Sequence, residues 1–293
     1  MALTYCLKEM KVKKEILAHF NHWIKKNKNI RAAILTSSRA NPKAKTDFLS
    51  DYDIELYVVD LSPFEKNDDW LKPFGPIMTR WPYKPRTTFS GDWLTRLILF
   101  RDGNRIDFQI TDNFTAVTGN TDSGYKILID EDNILPDLIP APTHAKYITQ
   151  KPTKEKYETL INEFWWNTTY VPKYLWRDQL PFAKTMLGQS MQDKYLRQII
   201  KWYIGLKSNW SVNTGNCGKY FKQYLDLELW SAYESTYCGA GIKENWDAFY
   251  KAVNLFCKLA RELGEALDYE YPHETEKSML TYYKKIQNTK KEE

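Results

Sequence analysis

The chain has 293 residues, 43% of them hydrophobic and 15% aromatic, with a formal net charge of +5. That length admits one large or two ordinary domains with ample apolar material for a core. The charge is modest, its lysines are spread out apart from a solvated tail KKIQNTKKEE, and no basic stripe interleaved with solvent-facing aromatics is read, so a nucleic-acid partner is not expected.

No eighteen apolar residues run together, and MALTYCLKEMKVKKE lacks the apolar centre of a signal peptide. Neither a membrane nor export is therefore expected. Cys6, Cys217, Cys238 and Cys257 are widely spaced and show no zinc-ligand rhythm, which fits a reduced, cytoplasmic protein.

From about Val12 to Lys26, residues Ile16, Leu17, Phe20, Trp23 and Ile24 fall on one helical face and predict an amphipathic helix. His19 and His22 stand three apart on it without a third ligand nearby, and read as core edge. Strands follow at Arg31–Thr36 and Asp53–Val59, then a loop rich in proline and aspartate from Leu61 to Asp69.

The stretch between those strands carries the chemistry. The first strand ends in Ser37-Ser38-Arg39, a small-residue turn able to present N–H groups and hydroxyls to an anion. The second begins Ser50-Asp51-Tyr52-Asp53-Ile54-Glu55. On a strand, Asp51 and Asp53 share a face with Cα atoms about 7 Å apart. Paired carboxylates repel, and Mg²⁺ relieves that repulsion through hard oxygen ligands shared with substrate phosphates. The plainer alternative puts Asp51 in a solvated turn and Asp53 on an exposed face.

Apolar runs at Trp93–Phe100 and Arg105–Thr111 flank Arg101-Asp102-Gly103-Asn104, which is hairpin chemistry. On the second run Ile106, Phe108 and Ile110 face one way and Asp107 the other. Asp107 is thereby a third candidate acid beside Asp53, or an exposed carboxylate paired with Arg105 or Lys126. A proline-rich connector, 135–142, then gives way to helical periods at Tyr157–Trp176, Asp193–Leu206, Lys219–Tyr224 and Trp246–Leu267. Pro172 predicts a kink or an end inside the first of these. The expected fold class is α+β: a mixed sheet with flanking helices over 1–140, then an all-α bundle over 141–293. Most aromatics of Glu163-Phe164-Trp165-Trp166 read as core, with Glu163 and Trp166 as candidate acceptor contacts. Glu163 reads equally as one half of an intrahelical ion pair, and Lys173 and Arg177 read either as phosphate contacts or as helix surface.

Ser37-Ser38, Asp51-x-Asp53 and Asp107, with IRAAILTSSRANPKAK, DYDIELYVVD, LFRDGNRIDF and KPTKEKYETLINEFWWNTTYVPKYLWRDQLPFA, resemble the aminoglycoside 6-adenylyltransferases. These belong to the polymerase-beta-like nucleotidyltransferase superfamily and inactivate streptomycin. The likeness runs from about Ile30 to Pro272. It implies a nucleotidyltransferase catalytic domain over 1–140 and a substrate-binding helical domain over 141–293. It further implies Mg²⁺-dependent transfer of AMP from ATP to an aminoglycoside hydroxyl, by a monomer or homodimer. In that scheme Asp51 and Asp53 hold metal, Asp107 is proton acceptor, metal ligand or both, and Ser37, Ser38 and Arg39 grip the triphosphate. A lincosamide-type nucleotidyltransferase and a catalytically silent nucleotide-binding relative are the alternatives. Three departures stand out. Arg101 and Asp92 replace the family's usual acid and asparagine. Ser37 replaces its usual glycine, adding a Cβ that disfavours positive φ or crowds the nucleotide.

Overall fold

The computed structural model describes residues 16–87, 91–118 and 121–290. The opening helix spans 16–26 and buries Phe20 and Ile24, as its apolar spacing requires. Residues 12–15 of the expected span, and Cys6, lie outside the described residues. Among the described residues six strands follow: β1 (Ile30–Thr36), β2 (Tyr52–Val58), β3 (Ile77–Thr87), β4 (Leu94–Phe100), β5 (Arg105–Thr111) and β6 (Lys126–Asp130). They form one mixed sheet in the order β3-β4-β5-β2-β1-β6, in which only β2 and β5 run parallel among the paired strands.

Strand alternation sorts the side chains onto two faces. Ala33 and Leu35 of β1, Ile54 and Leu56 of β2, and Ile106, Phe108 and Ile110 of β5 pack with Phe20, Ile24, Phe64 and Leu71. On the other face Ala32, Ile34 and Tyr57 pack with Trp93, Ala116, Leu135 and Ile139. The central strands are thus covered on both sides, which is why β1 and β2 read as nearly unbroken apolar runs. The polar exceptions within those runs define the site described below.

Several expectations change. The loop expected over Leu61–Asp69 contains a short helix, Ser62–Lys66, and the proline-rich connector contains another, Leu135–Leu138. β3, an eleven-residue edge strand, was not expected at all. It carries Arg80, Lys84 and Arg86 with the exposed aromatics Trp81 and Tyr83, so a basic stripe interleaved with aromatics is present after all. Its arginines are engaged locally: Arg86 lies over the Trp81 ring, and Arg80 lies over Tyr83 and pairs with Asp68 at 2.6 Å. Charges and prolines on an edge strand also block pairing with another sheet. Beneath it the buried Arg96 donates to Asp68 and to the Pro82 carbonyl, so its charge is not left alone in the interior.

The chain divides into two compact units, Met1–Lys146 and Tyr147–Glu293. The second is helical, which makes the fold α+β. Helix Lys154–Thr168 is capped by Thr153, whose hydroxyl accepts from the Lys156 N–H at 3.2 Å. It ends before a new helix, Tyr170–Trp176, so Pro172 falls in a first turn, where its missing N–H breaks no helical bond. The 26-residue helix Ile242–Leu267 buries Ala252, Phe256, Leu259 and Leu263, and Phe256 stacks on Phe164 with ring centroids 3.6 Å apart. Residues Met186–Leu196 form a π-helix, a register that apolar spacing at 3.6 residues does not anticipate. A helix that was not expected, His273–Asn288, buries Tyr283 against Phe249 and runs into the charged end, where Lys284, Lys285 and Lys290 are exposed. Among the described residues no helix is long and apolar enough to cross a membrane.

Candidate active site

β2 and β5 set the site. They run parallel with Asp53 opposite Asp107, which puts the two side chains on one face, about 4.8 Å apart in the pairing direction. Asp51 lies two residues before Asp53 on the same face, at the mouth of β2. The three candidate acids therefore converge, as the sequence spacing implied for a pair of adjacent strands. Burial first, then the charges of Asp107 and Asp51, push the Asp53 carboxyl up to about 6. Burial also raises Asp107 above the usual carboxylate range, partly offset by Arg105.

Arg105 stands among these acids. It lies two residues before Asp107 on β5, and so on the same face. Its Nε donates to Asp107 Oδ1 at 2.8 Å and its Nη2 to Oδ2 at 2.7 Å. Nη1 reaches Asp51 Oδ2 at 3.4 Å. The expected alternative partner, Lys126, instead donates to the Arg39 carbonyl at 3.1 Å.

The serine turn abuts this cluster. Thr36 pairs with Asp53 across β1 and β2, and Ser37-Ser38-Arg39-Ala40 forms one helical turn directly after it. Ser37 adopts φ 58°, the left-handed geometry that its Cβ was expected to disfavour. Its hydroxyl lies near enough to Asp53 to offset part of the rise at that carboxyl, an influence glycine could not exert. Arg39 is turned away from the acids' face. Its Nε donates to the carbonyls of Ser50 and Asp51 at 3.1 and 3.0 Å, and its guanidinium lies 3.9 Å over the Tyr52 ring. In this arrangement Arg39 clamps the loop that delivers Asp51.

Two further polar residues extend the same face. Glu55, two positions beyond Asp53, is 1% exposed; burial pushes its carboxyl up to about 7. One of its oxygens accepts from the Thr118 hydroxyl, and the other, Oε2, has no hydrogen-bond partner. The buried Thr36 hydroxyl is also unpartnered. Orphaned buried polar atoms carry a desolvation cost that ordered water or a ligand removes. Sequence reasoning named neither Glu55 nor Arg105 as functional. The signal for both was the strand period: Asp51, Asp53 and Glu55 alternate along β2, as Arg105 and Asp107 do along β5.

A divalent metal can be tested against these donors. Among the described residues no three Asp, Glu, His or Cys side chains are drawn together into a cage for an ion. Two facing carboxylates with a third nearby, all hard oxygens, suit Mg²⁺, which takes one or two carboxylates and completes its shell with phosphates and water. The donor set fits a metal that arrives with a nucleotide, and does not fit an all-protein cage.

The sequence profile of the streptomycin adenylyltransferases matches residues 10–286. The chain belongs to that family. Family membership makes it an adenylyltransferase. It is 31% identical over 271 residues to an aminoglycoside 6-adenylyltransferase of Bacillus subtilis, covering 90% of this chain and 94% of that protein. It is 33% identical over 276 residues to one from Campylobacter jejuni, covering 92% and 93%. A crystal structure of an aminoglycoside 6-adenyltransferase from Bacillus subtilis aligns with 94% of this chain and 98% of its own, at 27% identity and a TM-score of 0.47.

In the helical unit of this adenylyltransferase the candidate acceptor residues sit on the helix Lys154–Thr168. Glu163 pairs with Lys194 at 2.9 Å and accepts from the Tyr195 hydroxyl at 3.4 Å. The ion pair crosses between helical segments and is not the intrahelical pair that was one of the two readings of Glu163. Trp165 is buried, whereas Trp166 is 69% exposed and presents its indole to solvent beside Glu163, three residues away. Lys173 lies over the Tyr170 ring and Arg177 over Tyr174, so both cover aromatic surface.

Proposed function

We propose that the protein transfers AMP from ATP to a hydroxyl of an aminoglycoside, with streptomycin the first acceptor to test and its 6-position the target. Residues 1–140 serve as the catalytic part and 141–293 as the acceptor-binding part. The observation that carries this reading is the in-register pairing of Asp53 with Asp107 on parallel strands, beside Asp51 and the Ser37 turn. The names of the relatives supply the acceptor class.

Asp51 and Asp53 are the residues assigned to hold Mg²⁺, with Asp107 as third ligand, proton acceptor or both. When bound, the ion neutralises phosphate charge and favours departure of pyrophosphate. The remaining work falls to this chain. Asp107, raised by burial, is suited to take the proton of the incoming hydroxyl, a step of the kind that contributes about 10²–10⁴-fold. Ser37 and Ser38 border the nucleotide and orient the α-phosphorus for in-line attack. Arg39 fixes the Asp51 loop. Glu163 offers a carboxylate to the guanidinium groups of a streptomycin-like acceptor, and Trp166 an apolar face.

The deciding assay is pyrophosphate release from ATP and Mg²⁺ with streptomycin, other aminoglycosides and a lincosamide. Streptomycin-dependent release is the expected result. Release only with the lincosamide would transfer the reading to that class. ATP binding without release with any acceptor would mark a silent relative.

A further inference from the structure

The cation on the acids' face belongs to the protein itself, and that has a consequence for whatever else binds there. Both oxygens of Asp107 accept from Arg105, whose remaining nitrogen points at Asp51. The three groups form a fork in which one guanidinium bridges carboxylates from two strands. The Arg105 side chain is 43% exposed, whereas that of Asp107 is 15% exposed. The arginine therefore approaches the acids from the solvent side and has room to leave that way.

A divalent ion ligated by Asp107 meets this guanidinium twice over. It competes for the carboxylate's lone pairs, and it carries positive charge to within a few ångströms of a fixed positive charge. An arginine acting only as a support for Asp107 would strengthen metal binding by orienting the ligand. An arginine acting as a rival cation would weaken it. Charge favours rivalry, because the cluster holds three carboxylates, one guanidinium and no other cation that touches Asp107 among the described residues. Polyphosphate reverses the balance by bringing negative charge to the solvent side, where a displaced guanidinium finds bidentate oxygen acceptors.

We propose that Arg105 is an exchangeable counter-cation: it competes with the divalent metal for Asp107 and, on displacement, moves to the phosphates of the incoming nucleotide, so that the site takes metal well only with nucleotide. The inference rests on the assignment of Asp51, Asp53 and Asp107 as metal ligands. Such a device disfavours metal bound without substrate and couples the two binding events, because whatever moves Arg105 away from Asp107 helps both.

The test is Mn²⁺ binding to the full chain, read from the electron paramagnetic resonance signal of free Mn²⁺, with and without a non-hydrolysable ATP analogue. Wild type, Arg105→Gln, Arg105→Lys and Asp53→Asn are compared at pH 7.5. Without nucleotide, Arg105→Gln is expected to bind Mn²⁺ about tenfold more tightly than wild type, a conservative reading of unit charges a few ångströms apart near a protein surface. Arg105→Lys, which keeps the charge and loses the fork, is expected to fall between them. With Mn²⁺ present, Arg105→Gln is expected to bind the analogue about tenfold more weakly, the scale of a lost charge-assisted contact. Unchanged or weaker Mn²⁺ binding in both Arg105 variants would overturn the proposal and leave the metal assignment standing. Mn²⁺ binding that Asp53→Asn does not weaken would overturn the metal assignment, and this inference with it. Melting curves for each variant guard against misfolding, and the exposed position of Arg105 makes the lysine variant a folded control.

Discussion

Two acidic places in this chain invite comparison. On the sheet, Asp53 is half-buried and Glu55 fully buried, both are crowded by like charge, and they are raised to about 6 and about 7. On the helix Lys154–Thr168, Glu163 is a half-exposed carboxylate with Lys194 at 2.9 Å. The sheet holds carboxylates where ionisation is costly; the helix holds one that both solvent and a lysine reach. Clustered desolvation, more than the presence of acid, marks a place that does chemistry on charge. The helical acid has the character of a recognition contact, adjustable and screened by salt.

The sharpest way to break this comparison is at Asp53. Asp53→Asn removes a charge and little volume, and should lower kcat on the order of 10³-fold, the scale of several kcal/mol of lost charge stabilisation. The melting temperature should hold or rise, because buried repulsion is relieved. Steady-state pyrophosphate release together with calorimetry checks both halves, and a near-normal rate would remove Asp53 from the chemistry. Asp107→Asn should cost about 100-fold or more in kcat, whether the residue takes a proton or holds metal.

The acids also make stability depend on pH. Carboxyls raised in the folded state contribute stability that is fully present below their unfolded pKa and is lost as pH rises through the folded value. In EDTA, the melting temperature should therefore fall as pH rises from about 4 through 6 for Asp53, and on through about 7 for Glu55. Asp53→Asn should flatten the lower part of that decline. Rising stability across the same window in wild type would contradict the burial described here.

Ser37 sets a smaller test. Ser37→Gly relieves left-handed strain of about 1 kcal/mol but deletes the hydroxyl near Asp53, whereas Ser37→Ala deletes the hydroxyl and keeps the strain. The glycine variant should melt above the alanine variant by about 2–4 °C. Smallest of all, Glu163→Gln should change stability by under about 1 kcal/mol and leave kcat untouched, raising only the acceptor KM by a few-fold. A large loss of kcat there would erase the contrast between the two acidic places.

What the sequence disclosed follows the same division. Alternation around Ile106, Phe108 and Ile110 was enough to aim Asp107 away from the core, and the turn residues Asp102-Gly103 were enough to fold β4 onto β5. Pro172 announced the break between two helices. β3 stayed hidden because Pro82, Pro85 and a run of exposed charges mask strand alternation, and its pairing with β4 makes it a strand. The helix His273–Asn288 went unread because Tyr283, its one buried residue, packs on Phe249 and Thr168, far away in sequence. Arg105 was visible as a neighbour of Asp107 but not as a bridge to Asp51, since no local pattern reports which strands become adjacent. Ser37 was read as an obstacle to positive φ; the structure shows that conformation kept with serine in place.

The central claim is that acids from β2 and β5 share one divalent ion. Crystals soaked with Mn²⁺ and a non-hydrolysable ATP analogue, measured at a wavelength where manganese scatters anomalously, test it most directly. The account predicts an anomalous peak within ligand distance of both Asp53 and Asp107, beside the analogue's phosphates. A peak that touches neither acid, with the analogue bound, would contradict it.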